Sequence, residues 1–345
     1  MELKSIIRKN IASLAPYSCA RNEFTGKASV YLDANENPYN APFNRYPDPL
    51  QTHLKERISA LKGVAADRIF LGNGSDESID LIFRIFCEPR TDNVVAMAPS
   101  YGMYEVCADI NDVAFRKVML GEDFSISHEA LLAACDDRTK VIFVCSPNNP
   151  TGQAVPLAEI EALAAGFQQG IVAVDEAYID FSSQPSSLSL LDRYPNLVVF
   201  QTFSKAWGCA ALRLGMAFAS KEIIDLYNKV KYPYNINLLT QRQALECLSQ
   251  PQAVKAWVAE LLAERRRLAE RLPQLEAVKK VYPSDANFLL VRVTDADALY
   301  RFLLTEEIIV RNRNRVERCQ GCLRITVGTP AENDALLEGI RRFNP

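Results

Sequence analysis

The sequence predicts an α/β protein with a mostly parallel central sheet in a large domain, followed by a smaller α+β domain. Short segments that are almost continuously apolar alternate with segments of helical periodicity along much of the chain. Strands of a parallel sheet have this composition because helices cover both faces of the sheet. The chain has 345 residues, which is more than one hydrophobic core usually serves, so two domains are expected.

Helices and strands of the large domain can be placed from their patterns. A helix is expected at 50–61, closed by Gly63, and another at 157–167. A helix that begins near Ser75 has apolar residues at positions 79, 82, 83 and 86, the spacing of one buried helix face. The predicted strands are 68–71, 94–98, 141–145, 171–174, the apolar run that precedes Lys205, and 214–219.

A change in character after residue 235 indicates the start of the smaller domain. A long helical segment at 241–271 carries the charged run 264–267, which is interpreted as a solvated face. Strand-like and helical segments then alternate, as in an α+β unit. The expected organisation is an N-terminal arm at 1–30, a large domain at 31–235 and a small domain at 236–345.

Composition limits the possible classes of function. Hydrophobic residues make up 48% of the chain and charged residues 23%, as in a soluble globular enzyme. The net charge is -3, and no long basic block is present, which argues against nucleic acid as a partner. No apolar run has the length of a bilayer span or a signal-peptide core, so we expect no membrane partner and a cytoplasmic location.

Metal binding is not expected either. The chain has nine cysteines but only two histidines, His53 and His128. Cys319 and Cys322 are spaced like half of a zinc site, which would need a second pair or nearby histidines. The cysteines are expected to be reduced, and the scarcity of histidine argues against a serine–histidine or cysteine–histidine hydrolase.

Lys205 is the centre of the predicted site. An apolar strand ends in Thr202, Ser204 and Lys205, and Arg213 follows eight residues later. Low dielectric at the end of a buried strand favours the neutral amine of a lysine, and a neutral amine can condense with an aldehyde. The aldehyde that proteins most often keep for this purpose is pyridoxal 5′-phosphate. Taken alone, a lysine after a strand is more often an ordinary surface residue.

Polar residues follow other predicted strands as well. A glycine-rich turn leads into the helix at Ser75 and Asp76, whose free N–H groups suit a phosphate, although a plain helix cap fits equally well. Asn149 follows one apolar strand, and Asp175 and Tyr178 follow the next. Open α/β sheets bind ligands at the C-terminal ends of their strands, so we expect these side chains to meet.

Taken in order, these motifs resemble the aspartate-aminotransferase superfamily, the pyridoxal-phosphate-dependent transferases of fold type I. The segments that carry this resemblance are 149–152, 175–178, 204–205 with Arg213, and Arg324. Further segments resemble the histidinol-phosphate aminotransferases within that superfamily. They are 14–17, 33–38, 45–47, 99–104 and 323–328. The resemblance covers nearly the whole chain.

The resemblance implies roles around the cofactor, pyridoxal 5′-phosphate. Lys205 would bind the cofactor covalently and later act as the general base. Asp175 would pair with the pyridine nitrogen, while Tyr178 and Asn149 would donate to the phenolic oxygen. Tyr101 would stack on the face of the ring.

The cofactor phosphate is expected to be held by fixed donors. By resemblance these are the backbone amides of Ser75 and Asp76, the hydroxyls of Thr202 and Ser204, and the guanidinium of Arg213. Tyr46 would reach the same phosphate from the neighbouring subunit. The resemblance therefore implies a homodimer with shared active sites.

At the substrate end, Arg324 would bind a carboxylate or a phosphate through its planar fork, and Arg311 would bind the substrate phosphate. Tyr17 and Asn35 would close the site over the substrate. Two further arginines, at positions 313 and 315, are interpreted as surface residues.

The activity that the resemblance implies is transamination between L-histidinol phosphate and 2-oxoglutarate, giving imidazole-acetol phosphate and L-glutamate, in histidine biosynthesis. Two alternatives keep the fold: an aromatic amino-acid aminotransferase, and a decarboxylase of a phosphorylated amino acid. A transcriptional regulator on this scaffold would need a DNA-binding domain, for which thirty mixed residues are too few. A non-catalytic protein would not need Lys205.

Overall fold

The computed structural model describes residues 3–19, 26 and 28–344. The rest of the predicted N-terminal arm, namely residues 1, 2, 20–25 and 27, lies outside the described residues. Two sheets are present in the described part, one of seven strands and one of four. The larger lies within 69–218 and the smaller within 278–326. The domain boundaries at 30 and 235 stay predictions.

The larger sheet is mostly parallel. Its strands are β1 (Ile69–Asn73), β2 (Asn93–Ala98), β3 (Ala114–Met119), β4 (Thr139–Cys145), β5 (Ile171–Asp175), β6 (Leu197–Thr202) and β7 (Leu214–Phe218). They lie in the order β1-β7-β6-β5-β4-β2-β3. Strands β3, β2, β4, β5 and β6 are parallel to one another, whereas β7 is antiparallel to both β1 and β6. The predicted α/β class is confirmed.

Strand β3 is absent from the strands that the sequence predicts. It lies at the edge of the sheet, and its residues are exposed or half-buried. Arg116 and Lys117 interrupt its apolar character, so it lacks the continuous hydrophobic signal of the buried strands. Charged side chains on an edge strand also discourage pairing with another chain.

Helices cover both faces of the larger sheet. Along β4, Ile142 and Val144 belong to one core, whereas Val141, Phe143 and Cys145 belong to the other. This alternation is the pleat of a strand that is buried on both faces. The helices up to residue 248 are α1 (Lys9–Ser13), α2 (Thr52–Lys62), α3 (Gly74–Phe86), α4 (Met103–Ile110), α5 (His128–Ala133), α6 (Leu157–Gly166), α7 (Lys221–Val230) and α8 (Leu238–Leu248).

The smaller sheet is antiparallel throughout. Its strands are β8 (Val278–Val281), β9 (Phe288–Val293), β10 (Arg311–Asn312) and β11 (Cys322–Thr326), in the order β10-β11-β9-β8. The helices of this part are α9 (Pro251–Arg271), α10 (Ala296–Thr305) and α11 (Pro330–Arg342). In β9, Leu289 and Val291 pack in a core with these helices, whereas Phe288 and Leu290 join a core of the larger sheet. One face of the smaller sheet is therefore turned toward the larger one.

The long helical segment expected at 241–271 is two helices in the structure. Helix α9 starts at Pro251, whose missing N–H costs nothing at a first helical position. The interpretation of 264–267 as a solvated face is wrong for Glu264, which is 8% exposed and accepts a hydrogen bond from Arg267 at 2.7 Å. Among the described helices, none is long and apolar enough to cross a bilayer.

One-turn 3₁₀ helices complete the connections. They are Leu3–Ser5, Ala66–Arg68, Ile179–Phe181, Ser187–Leu190, Ala210–Leu212 and Leu272–Gln274. Of these, Ala210–Leu212 matters most for the site, because it leads from the loop after β6 into Arg213. Arg213 adopts a left-handed backbone conformation, with φ 50, and this sharp reversal starts β7.

Candidate active site

The C-terminal ends of β1, β2, β4, β5 and β6 open into one cavity of about 140 Å³. The cavity is lined by ten of the residues that the sequence singles out. They are Ser75, Asp76, Tyr101, Asn149, Asp175, Tyr178, Thr202, Ser204, Lys205 and Arg213. The structure thus brings together side chains from distant segments where an open α/β sheet is expected to bind its ligand.

A larger cleft of about 890 Å³ adjoins this cavity. The two share Tyr101, Asn149, Tyr178 and Lys205 as lining residues. Arg311 and Arg324 of the smaller sheet form part of the cleft wall, together with residues of the loop between β10 and β11. The amine of Lys205 therefore faces both the strand-end cavity and the cleft rich in arginine.

Lys205 follows β6 and is half-buried. Its Nζ lies 5.5 Å from the centre of the Tyr178 ring. Burial, followed by the charges of Arg324 and Arg213, lowers the pKa of this amine, while Asp175 acts in the opposite direction. The net effect favours the neutral amine that reaction with an aldehyde requires.

Asp175 ends β5 and is 3% exposed. Tyr104 Oη donates to its Oδ2 at 2.8 Å, and the Ala177 N–H donates to its Oδ1 at 3.1 Å. Burial raises the pKa of this carboxyl to about 6. A buried carboxylate that lacks a cationic hydrogen-bond partner among the described residues suits the protonated nitrogen of a heterocycle.

Helix α3 presents its N-terminus to the same cavity. The backbone amides of Ser75 and Asp76 lie in its first turn, where N–H groups have no partner within the helix. Glycine is required at position 74 by its φ of +71, and at position 215 of β7, where a Cβ would lie 2.2 Å from Ser75 N. A Cβ on Gly74 would also lie 2.8 Å from Arg213 Nη2, the far end of a flexible side chain. These close approaches form a cradle of the kind that binds phosphate.

The loop after β6 completes the cradle. The Ser204 N–H donates to Thr202 Oγ1 at 3.1 Å, and the Thr202 hydroxyl donates to Ser204 Oγ at 3.0 Å, so the two hydroxyl groups are held together on the wall of the cavity. Arg213 Nη2 lies 3.4 Å from Asp76 Oδ2, a long contact, and its side chain is half exposed. A weakly held guanidinium next to free amides can bind a phosphate without first breaking a strong ion pair.

Tyr101 lines both the cavity and the cleft. Its hydroxyl donates to Asp76 Oδ1 at 2.9 Å, and its ring meets Tyr104 edge to face at 5.6 Å. Tyr104, which donates to Asp175, has no role assigned from the sequence. Tyr104 lies in segment 99–104, which carries the family resemblance, three residues after Tyr101, and this is the signal that could have indicated it.

Arg324 connects the smaller sheet to the larger one. Its Nη1 donates to Asn149 Oδ1 at 2.5 Å, and its guanidinium carbon lies 5.3 Å from the Phe288 ring centre. Arg311 lies directly opposite Arg324 in the β10–β11 ladder. Both therefore reach the cleft from the same face of the smaller sheet.

The interpretation of Arg313 as a surface residue is wrong. It is half-buried, lines the cleft, and has a buried Nε with no hydrogen-bond partner among the described residues. The reason is register, because Arg313 lies two positions after Arg311 and so points to the same side of the strand. Arg315 is exposed but also lies on the wall of the cleft.

Three predicted residues are not brought into either cavity by this chain. Tyr17 is 73% exposed, and Asn35 is exposed in a left-handed turn with φ 54. Tyr46 is 52% exposed and stacks on Tyr234, with ring centres 4.5 Å apart. Their roles stay predictions.

The fold and these side chains define a pyridoxal-phosphate-dependent transferase. The sequence model of the family described as aminotransferase class I and II matches residues 22–340, and the chain belongs to this family. A histidinol-phosphate aminotransferase of Bacteroides thetaiotaomicron is 57% identical to it over 342 residues, 99% of each chain.

Two solved structures show the same fold. The histidinol-phosphate aminotransferase from Clostridium acetobutylicum gives a TM-score of 0.80 at 25% identity, covering 87% of this chain and 90% of that one. The one from Sinorhizobium meliloti, in complex with pyridoxal 5′-phosphate, gives 0.79 at 24% identity, covering 86% and 82%. The family match and the Bacteroides relative confirm the predicted family and enzyme class and, with the family, the cofactor.

Proposed function

We propose that the chain catalyses transamination between L-histidinol phosphate and 2-oxoglutarate, giving imidazole-acetol phosphate and L-glutamate. The observation that carries this proposal is the pair Arg311 and Arg324, held opposite each other on the cleft wall that continues to Lys205. One reactant ends in a phosphate and the other in a carboxylate. A planar guanidinium can form two parallel hydrogen bonds with either group.

The chain's own residues would divide the work of the reaction. Bound pyridoxal phosphate supplies an electron-withdrawing ring that stabilises negative charge on the substrate carbon. Asp175 would keep the ring nitrogen protonated, and Tyr178 and Asn149 would donate to the ring oxygen. Lys205 would hold the cofactor and then carry a proton at its Nζ, for which a lowered pKa is suited.

Orientation would come from the two ends of the site. The amides of Ser75 and Asp76, with Arg213 and the hydroxyls beside it, would fix the cofactor phosphate at one end. Arg324 would hold the anionic group of either reactant at the other end. With both ends held, the reacting carbon would be presented to Lys205 in a fixed geometry.

We also propose a homodimer with shared active sites. Support comes from apolar side chains exposed in the same stretch of chain as Tyr46, including Leu32 at 92% and Tyr39 at 79%, and from Tyr232 at 75%, two residues before the Tyr234 ring on which Tyr46 stacks. A patch of this kind marks an interaction surface. Tyr46, Tyr17 and Asn35 would then reach the cavity of the partner subunit, which explains why they are outside the cavities of their own chain.

Mixing two inactive variants tests the shared site. Lys205→Ala and Tyr46→Ala chains should each be poorly active alone, whereas their heterodimer would contain one site with both residues intact. Activity of the mixture well above that of either variant is expected. Activity no higher than the sum of the separate variants would show that Tyr46 does not act on the partner's site.

We further propose that the enzyme acts in the cytoplasm, in histidine biosynthesis. A substrate panel tests the reaction itself, with kcat/KM measured for histidinol phosphate, phenylalanine, tyrosine and phosphothreonine. The proposal requires the highest value for histidinol phosphate. A higher value for phenylalanine or tyrosine would identify an aromatic aminotransferase. Release of CO₂ from phosphothreonine at a faster rate would identify a decarboxylase.

A further inference from the structure

Arg313 lies on the same side of the smaller sheet as Arg311 and Arg324, the two arginines proposed to bind the anionic group of the substrate. In β11, Leu323 and Ile325 pack in the core with helices, whereas Cys322 packs toward the larger sheet. Arg324 alternates with Leu323 and Ile325, so it too points toward the larger sheet. The Arg313 N–H donates to Cys322 O at 2.9 Å, which continues the pairing of Arg311 with Arg324.

The guanidinium groups of Arg311, Arg313 and Arg324 lack acidic partners in the part of the chain that the structure describes. Arg324 donates to the neutral amide of Asn149, and Arg324 Nε and Arg313 Nε are buried without a hydrogen-bond partner there. Two carboxylates also line the cleft. Glu105 is paired with Lys117 at 2.9 Å, and Glu317 forms no ion pair with the three arginines.

Three unpaired cations close together raise the free energy of the empty cleft. Burial, followed by the charges of Arg324 and Arg311, lowers the pKa of Arg313 to about 10. The cost is offset only when an anion binds, because a partly buried charge needs a compensating partner. Each of the two carboxylates of glutamate carries one negative charge at a separate position, whereas a phosphate monoester concentrates about two charges near pH 7 on one group with three acceptor oxygens. The cluster therefore matches a phosphate ester better than a carboxylate.

We infer that Arg313 is a specificity-determining residue, a third guanidinium that binds the phosphate ester of the amine substrate and favours it over the carboxylate co-substrate. This inference rests on the proposed function and deepens it. Arg324 alone can satisfy a single carboxylate with two hydrogen bonds. Arg313 would contribute once a dianion with a third oxygen occupies the cleft.

The test measures each half-reaction separately in the pyridoxal-phosphate-loaded enzyme, with Arg313→Gln beside the wild type. The KM for histidinol phosphate should rise about tenfold or more, as expected for losing a charged hydrogen bond. The KM for glutamate should change by less than about twofold, and kcat should be nearly constant. Arg318→Gln is the matched control, because Arg318 is an exposed arginine of the same segment outside the cleft lining.

A thermal melt of the enzyme without substrate gives an independent readout. Removing one of three unpaired cations relieves repulsion, so Arg313→Gln should melt at or above the wild-type temperature, whereas loss of a merely structural residue would lower it. Arg313→Met keeps the apolar stem and serves if the glutamine variant does not fold. Equal changes in KM for both substrates, or none, would overturn the role of Arg313. Failure of the wild type to use histidinol phosphate would instead overturn the proposed function.

Discussion

Replacing Asp175 with asparagine should stabilise the protein without its cofactor and weaken the complex with it. In the protein alone, the Asp175 carboxyl is buried, and its hydrogen-bond donors, Tyr104 and the backbone of Ala177, are neutral. Asparagine is nearly the same size and carries no charge. The substitution therefore removes the cost of a buried charge while leaving the packing almost unchanged.

The size of the effect follows from the pKa of Asp175. Burial raises this pKa from an ordinary 3.8 to about 6. Two pKa units correspond to about 3 kcal/mol. Because the pKa of Asp175 is higher in the folded than in the unfolded state, ionising this carboxyl destabilises the folded protein. This destabilisation is nearly absent below pH 3.8, about half developed at pH 5, and complete at pH 8. Asparagine has one acceptor oxygen for two donors, which costs about 1 kcal/mol at every pH.

The assay is urea denaturation of the two cofactor-free proteins at pH 5 and pH 8. The free energy of unfolding of Asp175→Asn, relative to wild type, should increase by roughly 1–2 kcal/mol between these two pH values. All other titrating groups are common to both proteins and cancel in this difference. A difference that does not change with pH would refute the assignment of a desolvated carboxylate.

The same substitution should weaken cofactor binding, although it stabilises the cofactor-free protein. Asp175→Asn leaves the pyridine nitrogen without a charged partner, so the affinity for pyridoxal phosphate should fall by about 100-fold or more. Glu176→Gln is the control, because Glu176 is a neighbouring buried carboxylate that does not line the cavity. Unchanged retention of the cofactor by Asp175→Asn would contradict its pairing with the ring.

Three further predictions concern the lysine, the substrate end and the phosphate cradle. Lys205→Ala should abolish both the visible absorbance of the bound cofactor and turnover, and near-normal transamination by this variant would remove Lys205 as the base. Arg311→Ala should raise the KM for histidinol phosphate about tenfold and should raise the KM for glutamate less. An equal rise in both KM values would rule out a phosphate role. Gly215→Ala should push Ser75 and the start of α3 aside, since its Cβ would lie 2.2 Å from Ser75 N, and lower both stability and cofactor affinity. Gly102→Ala, with nothing within 4 Å of the added Cβ, should be neutral in a thermal melt, and equal effects of the two substitutions would contradict the close approach.

Features with a strong local signal were predictable from the sequence. The buried strands β4, β5 and β6 are continuous apolar runs, and Asp175 and Lys205 stand at the ends of two of them. Since parallel strands place their C-terminal ends at one edge of the sheet, the meeting of these residues follows from the order of elements. The residues of the cofactor cavity could therefore be grouped from the sequence alone.

Features that depend on pairing between distant segments were not predictable in this way. In the sequence, Arg313 has the appearance of a solvated charge run. Only the pairing of β10 with β11 places its side chain in the cleft. The role of Tyr104 is visible only in the structure, where the ends of β2 and β5 bring its hydroxyl to Asp175. Strand β3 has the weak pattern of an edge strand, and its place is set by its pairing with β2.

A single-turnover experiment with the pyridoxal-phosphate-loaded enzyme tests transamination of histidinol phosphate most directly. Histidinol phosphate is added without any keto acid, and both the visible absorbance and the released product are followed. One imidazole-acetol phosphate per active site, with loss of the visible band and its recovery on adding 2-oxoglutarate, is the predicted result. An unchanged spectrum with no keto product, while phenylalanine or tyrosine is converted, would contradict the proposed reaction.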